Sequence, residues 1–259
     1  MKNIIKKGIG IALLLALVIT MLPAAEVKAA TYIPSQVVVY NTDNNNLWAD
    51  GSIYLENIKK LSNVKSSTSK IVVDEYSVSK SASYSYKNKT VKKTGGGILG
   101  TIRFHSDKIC KGNITYKVNG KKHTTKVVVK KYTNPIDTLK VSNIGSGKNL
   151  ASYFKSSAYY SDDDHKLKWK NSDRPKITVK AKKGWKIVSI SAEHGLDDGE
   201  NSVSYEYWDK NKTSATVTAF ESTKDGYKIY RIIFVNIKDG GMITVTLDIP
   251  DNTYLDPNY

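Results

Sequence analysis

The residues from which catalytic or metal chemistry would be built are the four histidines, His105, His123, His165 and His194, and the single cysteine, Cys110. None of the histidines falls in an H-E-x-x-H arrangement or at a second metal-ligand spacing, and no G-x-S-x-G turn presents a nucleophilic serine. Cys110 lies in RFHSDKICK without the context of a thiol protease. Beside Ile109 it reads as a small packed hydrophobe. The chain is therefore read as a non-enzyme without catalytic residues or cofactors. Two acidic runs, Asp162-Asp163-Asp164-His165 and Glu193–Glu200, are placed in loops. Hard cations take about six to eight oxygen ligands. Neither run matches an EF-hand or repeat-type calcium loop, so both are read as solvated turns and no metal site is assigned.

Binding chemistry is better represented. The chain has 17 tyrosines and 4 tryptophans, and a flat exposed ring can stack on a sugar. Trp169 shares its face with Leu167, and Trp185 is in phase with Ile187, so both are assigned to cores. Trp208 falls on the face of Ser204 and Glu206, opposite Val203, Tyr205 and Tyr207, and is expected at the surface. Trp48, just after the polar stretch Asn41–Asn46, is the second expected surface ring. The formal charge is +16, almost all from lysine, since Arg103, Arg174 and Arg231 are the only arginines. Lysine is a flexible point charge, whereas arginine makes bidentate phosphate and base-edge contacts. Diffuse attraction to polyanions follows, without sequence-specific reading of nucleic acid. In HKLKWK, Lys166, Lys168 and Lys170 are expected to point away from Leu167 and Trp169, building a stripe of positive charge. Lys117–Lys131 and Lys176–Lys186 alternate in the same way.

These side chains must be positioned by strands. Residues 1–30 are set apart as a signal peptide: Lys2, Lys6 and Lys7 precede the apolar run Ile9–Leu22, and Val27-Lys28-Ala29 supplies compact residues before cleavage. That run is short for a bilayer span, so no transmembrane segment is expected in the mature chain. No cysteine follows it for a lipid anchor, and Asp248–Tyr259 carries no sorting motif. Removing four lysines and one glutamate with residues 1–30 leaves +13 on the mature chain.

From Thr31 to Tyr132, short strands recur at roughly ten-residue spacing, the pattern of a β-sandwich. Asn119-Gly120 is a type I′ hairpin signal that sets Val118 opposite Lys121, Tyr116 opposite His123 and Ile114 opposite Thr125. A slip by one residue would mix the two faces. Lys131–Pro135 ends the series, and residues 136–250 repeat it, with Leu139–Val141 and Ser152–Phe154 as short opening strands. In the last hairpin, a three-residue Asp239-Gly240-Gly241 loop would set Ile237 opposite Ile243 and Val235 opposite Val245. Gly120 in the first hairpin and Gly241 in this one are both expected in the left-handed region. The expected organisation is a signal peptide at 1–30, one sandwich at 31–133 and a second at 134–259. With a single cysteine, neither has an internal disulfide.

Two β domains after a signal peptide, joined by Lys131-Tyr132-Thr133-Asn134-Pro135, the first closing on a Tyr-x-Val-Asn-Gly-Lys hairpin, resemble the tandem bacterial immunoglobulin-like domains of secreted and surface proteins from Gram-positive bacteria. The resemblance implies an all-β fold of two tandem immunoglobulin-like sandwiches. It also implies a role as spacer, adhesion module or glycan-binding unit, with no family-wide catalytic residue. Three readings follow: a secreted or cell-surface binding module held on anionic envelope polymers by its lysines, a glycan-binding protein using exposed aromatics, and an undetected enzyme or enzyme inhibitor.

Overall fold

A computed structural model describes residues 31–44, 48–80, 83–87, 90–94, 98–162, 167–168, 174–195, 204–219 and 227–249. In the N-terminal half lie β1 (Gln36–Tyr40), β2 (Ala49–Glu56), β3 (Leu61–Ser66), β4 (Val72–Lys80), β5 (Ser83–Lys87), β6 (Thr90–Thr94), β7 (Ile98–Ser106), β8 (Lys111–Val118) and β9 (Lys121–Lys130). The C-terminal half contributes β10 (Ile136–Val141), β11 (Tyr159–Ser161), β12 (Lys176–Ala181), β13 (Trp185–Gly195), β14 (Ser204–Lys212), β15 (Ser214–Thr218), β16 (Tyr227–Asn236) and β17 (Met242–Ile249).

The fold is all-β, and its strand order is immunoglobulin-like. A three-stranded sheet β2-β7-β4 faces β1-β9-β8-β3. With the inserted β5–β6 hairpin set aside, this is the B-E-D against G-F-C arrangement, the first strand having switched sheets to run parallel to the last. The C-terminal half sets β10-β12-β15 against β14-β13-β16-β17, and β11 runs parallel to β17. Alternation explains how each sandwich closes. Ile53, Leu55, Ile102 and Phe104 from one sheet meet Ile114, Tyr116, Val118, Val127 and Val129 from the other. Leu139, Val141, Ile177 and Val179 likewise meet Ile190, Tyr230, Ile232, Phe234 and Val245.

The two halves share a sheet through β1. Its five residues pair in parallel with Lys126–Lys130 of β9, and Val39 also pairs with Met242 of β17. Because side chains alternate across a strand, Val39 enters the N-terminal core while Val38 and Tyr40 enter the C-terminal one.

The Asn119-Gly120 hairpin has the expected register at Val118–Lys121, Tyr116–His123 and Ile114–Thr125. Asn119 and Gly120 both have positive φ, at 51° and 87°. The Asn119 side chain does more than turn the chain: its Oδ1 accepts from the amides of Lys59 (2.9 Å) and Lys60 (3.0 Å), tying the hairpin to the approach to β3.

The last hairpin differs from expectation. Val235 pairs with Met242, Phe234 with Ile243 and Ile232 with Val245, so Ile237 is 40% exposed instead of facing Ile243. The even-numbered set Tyr230, Ile232 and Phe234 is bulkier than the odd set and fills the core. A longer turn closes the strands, with Gly240 N donating to Asn236 O (2.8 Å) and Gly240, not Gly241, in the left-handed region at φ 75°. Gly241 is small for another reason: a Cβ there would lie 2.6 Å from Tyr40 Cε2 and 3.0 Å from Val38 Cγ1. The segment Ser152–Phe154, expected as a strand, lies in a 3₁₀ turn over Ala151–Phe154, where Phe154 is buried. Asn149 Oδ1 accepts from both Leu139 N and Ala151 N and stabilises that turn.

Gly120→Val is expected to cost about 1–2 kcal/mol through left-handed strain. Gly241→Val should cost about 1–3 kcal/mol through overpacking against β1. Urea midpoints equal to the parent's would contradict both assignments. A fragment 134–259 leaves behind Val38, Tyr40, Val128 and Tyr132, which belong to its core. It is therefore expected to unfold at a lower urea concentration than the intact chain; an equal midpoint would contradict the shared role of β1.

Candidate functional site

Two surfaces carry the exposed lysines and the exposed tryptophan. The first is the face of β3, β8 and β9 that turns away from the N-terminal core. Lys117 lies directly opposite Lys122, Lys126 opposite Asn113, and Lys65 opposite Thr115, and all four lysines are exposed. Like charges directly opposite one another oppose strand pairing, so the sheet keeps this face at some cost in stability. A shallow groove of about 430 Å³ opens beside it, lined by Asn63, Lys65, Ser66, Ser67, Thr115, Lys117 and Lys122, and no carboxylate is among its described lining residues.

The second surface is built around Trp48. Asn41 is buried, and its Oδ1 accepts from both Asp43 N (3.2 Å) and Trp48 N (3.0 Å), pinning the two described ends of the polar loop. Trp48 is thereby set at the start of β2, 45% exposed. One ring face stacks on His105 at 4.5 Å and 12°, and its Nε1 donates to Asp50 Oδ2 (2.8 Å). His105 is held in turn by its Nδ1, which donates to Asp74 Oδ1 (2.6 Å). Register places Asp50 beside His105 across the β2–β7 ladder. Asp50 and Asp74 border a cavity of about 450 Å³ between β2, β1 and the β16–β17 turn, with Ser52, Tyr54, Arg103 and Asp239 also in its wall.

Asp239 also connects the halves. Lys130 Nζ lies 2.6 Å from its Oδ2, to which Tyr40 OH donates at 3.0 Å, while Asn236 Nδ2 donates to Tyr40 OH at 3.1 Å. Burial, followed by the negative charge of Asp239, raises the Tyr40 hydroxyl pKa well above the ordinary tyrosine value. Burial alone does the same to Tyr132, whose OH donates to Phe154 O (2.9 Å).

Trp208 does not take the exposed place expected of it. It lies opposite Ile190 in the β13–β14 ladder, and Ile190 is fully buried, so Trp208 packs partly buried against the C-terminal core. Its neighbour Tyr207 takes the outer face instead. The β14 register follows β13, not the apolar count within β14. Lys168 is exposed, but it and the buried Leu167 lie outside any strand, so the alternation there is not that of a ladder; Lys166, Lys170 and Trp169 lie outside the described residues. The buried Leu167 is held by its amide, which donates to Asp162 Oδ2 (2.9 Å). Asp162 is itself 2% exposed and accepts from Tyr160 OH (3.0 Å), so it organises this turn from inside instead of being solvated. Residues 163–165 lie outside the described set. Glu193 is in β13, not in a loop, and pairs with Arg231 of β16. In the Lys176–Lys186 run, Lys180 is paired with Asp137 at 2.7 Å. Cys110 packs against the N-terminal core with its Sγ 3.5 Å from Ser106 Oγ.

His105, Asp50 and Asp74 carried no motif in the sequence. Only their pairing across three strands brings them together at Trp48. Among the described residues no group of three or more His, Cys, Asp or Glu could hold a metal ion, and no helix is long and apolar enough to cross a membrane.

No protein-family model matches the chain, and no curated protein matches it. Among solved structures it is similar to domains 5–6 of the S-layer protein SbsC, with 14% identity, 86% of this chain and 97% of that chain covered, and a TM-score of 0.27. A C-terminal intimin fragment in complex with the intimin-binding domain of its translocated receptor shows 11% identity, 86% and 65% coverage, and a TM-score of 0.21. Superpositions at these scores carry no argument, and the fold assignment rests on the strand order.

The raised Tyr40 and Tyr132 pKa values predict an alkaline loss of stability. The folded state holds both hydroxyls protonated, so their contribution is complete below the unfolded tyrosine pKa near 10 and declines as pH rises above it. Tyr40→Phe should flatten this dependence while costing about 0.5–1.5 kcal/mol at neutral pH. A Tyr40→Phe profile parallel to the parent's above pH 10 would contradict the assignment.

Proposed function

We propose that this chain is a non-enzymatic secreted, cell-surface binding module retained on anionic envelope polymers by the lysine face of β3, β8 and β9. The supporting observation is the directly opposed Lys117–Lys122 pair within a face that also carries Lys65 and Lys126. A polyanion laid across this face relieves that repulsion by placing negative charge between the lysines. Sandwich strands provide a regular spacing of charge, and attraction from such a stripe acts at long range. The hydroxyls of Ser67 and Thr115 beside the lysines can donate to phosphate or sulfate oxygens. The net charge, +16 for the full chain and +13 once the four lysines and one glutamate of residues 1–30 are removed, works in the same direction. The signal-peptide pattern of residues 1–30 supplies the route to the envelope.

Retention on purified cell walls tests this reading across a salt series. Binding should fall steeply as the Debye length shrinks from about 10 Å at 0.1 M to about 3 Å at 1 M. A Lys117→Gln, Lys122→Gln, Lys126→Gln variant should bind about tenfold more weakly, as expected when roughly 1.4 kcal/mol of attraction is lost. Retention insensitive to salt, or surviving removal of the anionic polymers, would contradict the proposal.

A further inference from the structure

The cavity beside Trp48 has the opposite electrostatic character from the lysine face. Of its charged neighbours, Arg103 is ion-paired with Glu75 at 3.2 Å and Asp239 with Lys130 at 2.6 Å. Asp74 is paired with His105 at 2.6 Å, which leaves Asp50 as the cavity's carboxylate with no cationic side chain against it among the described residues. Each uses one oxygen to hold a ring: Asp50 Oδ2 receives Trp48 Nε1–H, and Asp74 Oδ1 receives His105 Nδ1–H. These two bonds and the ring stack fix Trp48 from its edge and from one face. The remaining exposure, 45% of the residue, leaves a preoriented aromatic platform beside a polar cavity.

We propose that this is a second binding site, for a glycan carrying free amino groups: a hexosamine unit whose amine is not acetylated. The chemistry is matched group by group. Trp48 is joined to the cavity wall through Asp50 and is not itself part of it. The apolar face of one pyranose ring therefore packs on Trp48 while hydroxyls of the adjoining units meet Ser52 and Tyr54 in the wall. Sites of this kind join an apolar surface to a few convergent polar groups. With one indole face on His105 and the other under the sugar ring, the ammonium group is drawn to the Asp50 carboxylate and to the outer oxygen of Asp74. A neutral sugar would use the platform and hydroxyls but leave the Asp50 carboxylate without a cation beside it. A polyanion, the ligand proposed for the lysine face, would be repelled by that carboxylate.

The site depends on the proposed role as a surface binding module but uses a different sheet and charge of opposite sign, so the two proposals fail separately. The full chain is titrated with the β-1,4-linked tetramer of glucosamine and, in parallel, with its fully N-acetylated counterpart, followed by calorimetry and tryptophan fluorescence. The glucosamine tetramer is expected to bind at least tenfold more tightly than the acetylated one. Trp48→Ala should weaken it at least tenfold and Asp50→Asn at least fivefold. Trp48→Phe, which keeps a ring, should retain more affinity than Trp48→Ala, and unchanged thermal unfolding of the variants identifies the loss as one of binding. Absence of binding by the glucosamine tetramer, equal affinity for the two tetramers, or binding unaffected by Trp48→Ala and Asp50→Asn would each overturn the proposal. Salt-sensitive retention on anionic polymers in the same Trp48→Ala variant reports separately on the lysine face.

Discussion

The structure depends on β1 being buried on both of its faces. Val39 is committed to the N-terminal core, and Val38 and Tyr40 to the C-terminal core. A five-residue strand this short has little stability alone. It is held by the parallel ladder to β9, the single pairing to β17 and the approach of Gly241, where nothing larger than hydrogen fits beside Tyr40. Asp239 fixes the same corner electrostatically by receiving Lys130 and Tyr40 at one carboxylate oxygen. Asp239 is largely buried and Lys130 only partly so, at 12% and 42% side-chain exposure. The contact is therefore worth more as a fixed hydrogen-bonded corner than as a Coulombic pair.

That corner also borders the cavity beside Trp48. Where β1 and β17 diverge beyond the Val39–Met242 pairing, the space between them and β2 becomes the cavity whose wall includes Asp50 and Asp74. The lysine face lies on β3, β8 and β9 of the N-terminal sandwich, and it touches the β1 ladder only at its β9 margin, where Lys126 pairs with Gln36. A basic chain thus presents lysines where strand alternation exposes them and carboxylates where two sandwiches meet. Each surface follows from a different structural constraint, namely periodicity in one case and the junction of sheets in the other.

How much was legible in the sequence follows the same division. The Asn119-Gly120 hairpin could be read to the residue because turn chemistry and alternating pattern agree locally. The final hairpin could not, because Ile232, Ile233, Phe234 and Val235 form an almost continuous apolar run in which both faces look alike. The choice between them came from the partner sheet and from Tyr40, distant in sequence. Trp208 was misplaced for a related reason: its face is dictated by Ile190 on the neighbouring strand. Trp48 was legible as a surface ring, since a polar loop precedes it. His105, Asp50 and Asp74 were not legible as a group, because they lie on β7, β2 and β4 and only their lateral pairing makes them neighbours. Asp162 read as part of a solvated turn because sequence composition does not distinguish an exposed carboxylate from a buried one that accepts from the Leu167 amide.

Scanning calorimetry of the intact chain and of Tyr40→Ala tests most directly whether β1 couples the two cores. The substitution removes a ring from the C-terminal core while leaving Val39 in the N-terminal one. The account predicts a single endotherm for the parent chain and two resolved endotherms for the variant. Two endotherms already present in the parent, at temperatures that Tyr40→Ala leaves unchanged, would contradict it.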